Sequence, residues 1–153
     1  AYVPPEFHSR YSAKSKVYEY RILNEENPDV FRRKYVWYIH TPLDIQVMAK
    51  CLAHLLGRYD FSSFRSSGSG NRDPVRSILR AELRETERSL LRVVIEADGF
   101  LRHMVRNIVG TVVEAGLGRI GFSGFEKILE SRDRRSAGIK APPQGLFLMD
   151  VQY

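Results

Sequence analysis

Residues 75–83 and 90–97 each alternate apolar and polar side chains, and only the polar stretch 84–89 separates them. Alternation with period two puts every second side chain on one face of a pleated strand, and so short a connection brings the second strand back antiparallel to the first. A hairpin of this kind commits the chain to an antiparallel sheet. Residues 11–23 alternate as well, with Tyr18, Tyr20 and Ile22 on one face and Val17, Glu19 and Arg21 on the other. The aromatic-rich stretch 35–40 reads as a second strand, and further strands are expected near 60–65 and at 146–153.

Helical spacing joins Ile45, Met48, Leu52, Leu55 and Leu56. Thr41 is placed as the cap of this helix, Pro42 in its first turn, Asp44 near its N-terminus and Gly57 at its C-terminal stop. A second helix over 101–115 has a wide apolar face that includes Met104, Ile108 and Val112. The run from Ser123 to Glu126 resembles a capping box that opens a short third helix, while 66–74 is a flexible loop by composition. The order predicts one α+β domain over 1–153, a mostly antiparallel sheet with helices packed on one face.

Composition narrows the function classes. Hydrophobic residues make up 43% and charged residues 27%, as in soluble globular domains. No apolar run approaches the roughly 20 residues that span a bilayer. Residues 1–8 carry neither a basic leader nor a greasy stretch, so no signal peptide is expected there. Cys51 is the one cysteine, which excludes an internal disulfide and argues against a thiolate metal site; it fits a cytoplasmic protein. His8, His40, His54 and His103 lack ligand spacing, so no metal site is expected. The net charge of +6 and pI of about 9.6 favour polyanions, and by themselves also fit a merely soluble basic protein.

Several segments could carry chemistry. Arg102 and Arg106 share one face of the 101–115 helix, and His103 and Asn107 share another. They form either the polar edge of an ordinary amphipathic helix or a cationic rim around a cleft. The run from Phe7 to Tyr20 interleaves Arg10, Lys14 and Lys16 with aromatic rings, a pattern that suits single-stranded bases and their phosphates. The alternative there is rings that pack a half-buried strand, and at least one of Tyr18 and Tyr20 is assigned to that role. The loop 66–74 is flanked by Arg65 and Arg76 and holds Arg72; it is a phosphate clasp or a plain surface loop, with no Walker pattern.

Together the segments resemble one family. Phe7-His8-Ser9-Arg10-Tyr11-Ser12-Ala13, followed by Lys16-Val17-Tyr18-Glu19-Tyr20, is similar to the F-H-A-R-F-S-A…R/K-x-Y-x-Y pattern of TruA-type tRNA pseudouridine synthases. Asp60-Phe61-Ser62-Ser63-Phe64 and Arg76-Ser77-Ile78 resemble its D-F-x-S-F…R-x-I. The most specific match, Phe100 to Gly110, resembles F-L-x-H-M-V-R-N-I-V-G, and Ala141-Pro142-Pro143-Gln144-Gly145-Leu146 with Val151-Gln152-Tyr153 resembles the closing A-P-P-x-G-L…V-x-Y. The resemblance implies an enzyme that isomerises uridines of the tRNA anticodon stem-loop to pseudouridine without metal or cofactor, as a homodimer. It further implies that Tyr18 stacks on the target uracil and is placed for proton transfer, that Arg106 pairs with a catalytic aspartate, and that Leu101 lines the pocket. The RNA path is assigned to Arg10, Lys14, Lys16, Arg65, Arg72, Arg76 and Arg102.

The departure is the aspartate. The family carries it in R-T-D-A-G-V-H, ahead of F-H-x-R, and that motif does not occur in this sequence. Asp73, in Asn71-Arg72-Asp73-Pro74, is assigned to a turn and Asp60 to structure. The chain is therefore expected to be the C-terminal α+β part of a synthase, inactive alone but able to bind RNA. The rival is a noncatalytic RNA-binding module of the same fold.

Overall fold

The computed structural model describes residues 2–68, 70, 73–87 and 89–153. Among the described residues, six strands and three helices follow in the order β1 (Ser15–Asn24), β2 (Trp37–Ile39), α1 (Ile45–His54), β3 (Gly57–Asp60), β4 (Val75–Thr86), β5 (Leu90–Ala97), α2 (Met104–Gly116), α3 (Gly121–Ser131) and β6 (Leu146–Gln152). The sheet runs β2-β1-β5-β4-β3, with β6 beside β1. The expected hairpin is β4–β5, in register from Arg80 opposite Glu96 to Thr86 opposite Leu90. All pairings are antiparallel except β1 with β2, where Ile22 lies beside Trp37. Strands β2 and β6 share one edge of β1, β6 along Ser15 to Tyr20 and β2 along Ile22 to Asn24. The α+β class, with a mostly antiparallel sheet, is thus the observed one.

The helices cover the sheet face that carries Tyr20, Ile22, Val93 and Ile95. Helix α2 is the centrepiece, with Ile108, Val109 and Val112 fully buried. Each such side chain contributes roughly 1.5–3 kcal/mol through area removed from water. Cys51 lies in the same core, where burial pushes its thiol up to about 11 despite the opposing pull of Lys50, so it acts as a small hydrophobe. On the uncovered face, charge replaces helices: Arg21 Nε donates to Glu19 at 2.7 Å while its guanidinium lies 4.0 Å from the centre of the Phe147 ring.

Several boundaries differ from the sequence reading, each for a local reason. The cap of α1 is Asp44, whose carboxylate accepts from Val47 N at 3.1 Å; the Thr41 carbonyl instead accepts from Asn24 Nδ2 at 2.8 Å. The helix stops at Leu55, and Gly57, with φ 110°, opens β3. The strand expected over 60–65 is therefore earlier and shorter, and Ser62–Phe64 forms a 3-10 turn that buries Phe64. Helix α2 starts at Met104 rather than 101 because His103 takes a left-handed φ of 57°. Helix α3 starts at Gly121, itself at φ 62°, so Ser123 falls inside the first turn and the capping box does not form. Glu126 faces His54 instead, at 3.9 Å.

One close approach positions everything that follows. A side chain at Gly110 would collide with the Ile139 carbonyl, so α2 and segment 139–141 pass backbone to backbone. The Ala141 N–H then donates to the Arg106 carbonyl at 3.0 Å.

Candidate active site

Arg106 leaves α2 beside that crossing. Its Nε donates to the Ala141 carbonyl at 2.7 Å, so side chain and main chain both grip the same residue. Its Nη groups make no hydrogen bond among the described residues. The resemblance pairs Arg106 with an aspartate; here a backbone carbonyl holds it, half-buried, because Gly110 lets segment 139–141 come within reach.

Tyr18 comes from β1 and meets the Phe100 ring edge-on, 5.0 Å between centroids at 88°. Leu101, 4% exposed, lies between strand and helix. Tyr18, Leu101 and Arg106 line one cavity of about 200 Å³, together with Phe100, His103 and Pro143. Among the described residues the lining holds a phenol, a guanidinium, an imidazole and apolar walls, and no carboxylate. Such a cavity can hold a planar ring and offer it a cation.

His103 adds an electrostatic feature. Its Nδ1 is buried without a hydrogen-bond partner. Burial, then Lys140, Arg106 and Arg102, hold its pKa below the usual 6.5, so the imidazole is neutral at pH 7. From sequence Lys140 had no site role, and His103 stood only as one of the polar residues of the 101–115 helix that form either an ordinary edge or a rim; the neighbourhood of three cations now distinguishes this histidine.

Two further cavities share Phe100 with the first. One, of about 340 Å³, is lined by Arg10, Lys16, Arg58 and Arg76, with Asp73 and Asp98 as acids. The other, of about 780 Å³, is lined by Arg10, Tyr11, Leu101, Arg102 and the glycines Gly68 and Gly70. Arg10 lies 5.7 Å from the Tyr11 ring centre, a cation–π distance that pairs a ring with a charge at the surface. The fold thus gathers Arg10, Lys16, Arg76 and Arg102 around one tract. Lys14 and Arg65 line none of these cavities, Lys14 being exposed beside β6 and Arg65 following the 3-10 turn. Arg72 lies outside the described residues. Arg58 was missed: it sits on β3 beside Gly57, with no pattern around it that marks a binding residue. Asp73 Oδ1 accepts from Val75 N at 3.0 Å, which is the turn role, and Asp60 Oδ1 does the same for Ser62 N at 2.8 Å. Among the described residues, no cluster of histidine, cysteine and acidic side chains could hold a metal ion, and no helix is long and apolar enough to cross a membrane.

Comparison with known proteins bears on the family. The family model described as tRNA pseudouridine synthase matches residues 51–153. A tRNA pseudouridine synthase A from Thermoanaerobacter sp. (strain X514) is 44% identical over 151 residues, covering 99% of this chain and 62% of the relative. One from Moorella thermoacetica is 45% identical, covering 99% and 61%. One from Orientia tsutsugamushi (strain Ikeda) is 40% identical over 148 residues, covering 97% and 52%. The chain thus spans between about half and three fifths of the length of these relatives. A match over two thirds of the chain, in the segment that builds α2 and the Arg106 grip, settles the family: this chain belongs to the tRNA pseudouridine synthases.

Proposed function

We propose that this chain supplies the uracil-holding half of an enzyme that converts tRNA uridine to pseudouridine. The reaction breaks the bond from C1′ to N1, turns the uracil, and joins C5 to C1′. The observation that carries the reading is the cavity shared by Tyr18, Leu101 and Arg106, which among the described residues has a cation with unspent donors and no carboxylate. A uridine in the anticodon stem-loop must leave its stack to be reached, at a cost of a few kcal/mol, and an aromatic wall offsets that cost. Tyr18 supplies the wall and a hydroxyl for proton transfer; Leu101 closes the pocket. The Nη groups of Arg106 await the aspartate of an R-T-D-A-G-V-H segment, which a planar guanidinium can hold through two parallel bonds. That carboxylate starts the reaction as nucleophile or base. Arg10, Lys16, Arg58, Arg76 and Arg102 neutralise the phosphates of the RNA path, and Lys14, Arg65 and Arg72 extend it. The whole protein acts on tRNA in the cytoplasm as a homodimer, without metal or cofactor.

The test is direct. These 153 residues, incubated with unmodified tRNA, form no pseudouridine, and the same residues joined to an aspartate-bearing segment of a relative do. Turnover by the 153 residues alone would overturn the assignment of the carboxylate, and Asp73 would be the next group to replace.

A further inference from the structure

Asn107 follows Arg106 on α2 and is fully buried. A buried amide is costly unless bonded, and this one is bonded at both ends. Its Nδ2 donates to the Phe64 carbonyl at 2.8 Å and to Ser66 Oγ at 3.2 Å, and its Oδ1 accepts from Arg134 Nη2 at 3.0 Å. Arg134 is fixed in turn by donating Nη1 to the Gly138 carbonyl at 3.0 Å. A satisfied buried network selects one geometry. The geometry selected here is that of segment 64–68. From that segment the Ser66 N–H donates to the Arg102 carbonyl at 3.0 Å, and the Ser67 carbonyl accepts from Arg102 Nη1 at 2.9 Å. The next residue, Gly68, has φ 80°, and a side chain there would collide with the Arg102 guanidinium. Arg102 is exposed and lines the largest of the three cavities around Phe100. A chain of bonds therefore runs from Arg134 through Asn107 and the loop to a surface cation.

We propose that Asn107, oriented by Arg134, is a positioning residue for RNA: through segment 64–68 it sets where the Arg102 guanidinium meets a phosphate of the bound strand. The proposal rests on the reading of this chain as RNA-binding. It differs from a purely structural role in one respect: the effect of Asn107 on RNA must pass through Arg102.

A double-mutant cycle on the full chain separates the two, with an unmodified anticodon stem-loop RNA as the probe. Asn107→Ala and Arg134→Ala are each expected to weaken RNA binding about tenfold, or about 1.4 kcal/mol. In an Arg102→Ala background each is expected to change binding by less than about twofold. In an Arg76→Ala background, where the bonds of segment 64–68 to Arg102 and Asn107 are kept, the tenfold loss is expected to persist. Where Asn107→Ala does not fold, Ser66→Ala replaces it in the same cycle, with about a threefold loss that vanishes with Arg102→Ala. Losses of equal factor with and without Arg102, or no loss at all, overturn the proposal while leaving the RNA reading intact. A wild-type chain that does not bind the stem-loop overturns both.

Discussion

Tyr18 and Tyr20 stand on the same face of β1 and meet opposite surroundings. At Tyr20 the face is sealed: the ring is fully buried, its hydroxyl donates to the Pro142 carbonyl at 2.6 Å, and burial raises the phenol pKa far out of the physiological range, with Arg106 pulling it back in part. Gly145 seals it further, since a side chain there would sit 2.7 Å from the Tyr20 ring. At Tyr18 the face opens, and the hydroxyl makes no hydrogen bond among the described residues. Two residues of strand, about 7 Å of rise, separate a tyrosine that spends its polar group on the fold from one that lines an open cavity. The lesson is that residue type and face do not distinguish the two. What distinguishes them is where segment 139–146 crosses the strand and helix.

The largest expected effect breaks the pair apart at the chemistry. In a full-length synthase carrying these residues, Tyr18→Phe keeps the stacking face and loses the hydroxyl, and kcat is expected to fall about a thousandfold with the fold intact. Near wild-type turnover would show that stacking alone matters. Gly110→Ala comes next, because it pushes segment 139–141 away from α2 and so disturbs both halves. A loss of about 3 kcal/mol in urea unfolding is expected, and an unchanged midpoint would contradict the close approach. Tyr20→Phe sharpens the comparison from the sealed side: about 1 kcal/mol of stability lost with the Pro142 bond, and kcat retained.

Smaller effects belong to the open half. Replacing Arg58 by Ala should reduce the slope of log affinity against log salt by about 0.7 for a single-stranded probe, the signature of one lost phosphate contact. An unchanged slope would take Arg58 out of the RNA path. For His103 the sign is fixed by its lowered pKa. Below 6.5 the unfolded chain binds a proton that the folded chain resists, so stability falls as pH drops from 6.5 toward the lowered value. His103→Gln should flatten that part of the stability profile, and an identical profile in the variant would contradict the placing of the half-buried imidazole, with its buried Nδ1, beside Lys140, Arg106 and Arg102.

The sequence disclosed unequal parts of this arrangement. The β4–β5 hairpin and the alternation of β1 were legible because period-two patterning and a short polar connection depend on neighbours along the chain. Tyr18, Leu101 and Arg106 stood out through motif resemblance, and they line one cavity. Local capping was less legible: Thr41 and Asp44 both suit a helix N-terminus, and it is the Asp44 carboxylate that accepts from Val47 N, while the Thr41 carbonyl accepts from Asn24 Nδ2. The grip of Ala141 on Arg106, the Arg134 bond to Asn107 and the place of Arg58 were not legible at all. Each joins segments far apart in sequence through tertiary packing, and no local period or spacing encodes such a meeting.

In the proposed function Arg106 is the fork that holds an incoming carboxylate. Arg106→Lys in a full-length synthase keeps the charge, loses Nε and its bond to Ala141, and cannot present two parallel donors. Pseudouridine formation on unmodified tRNA is the measurement, with thermal unfolding to confirm the fold. A loss of about a hundredfold or more in kcat, in a protein that still folds, is the predicted result; a folded Lys variant with full activity would contradict the account.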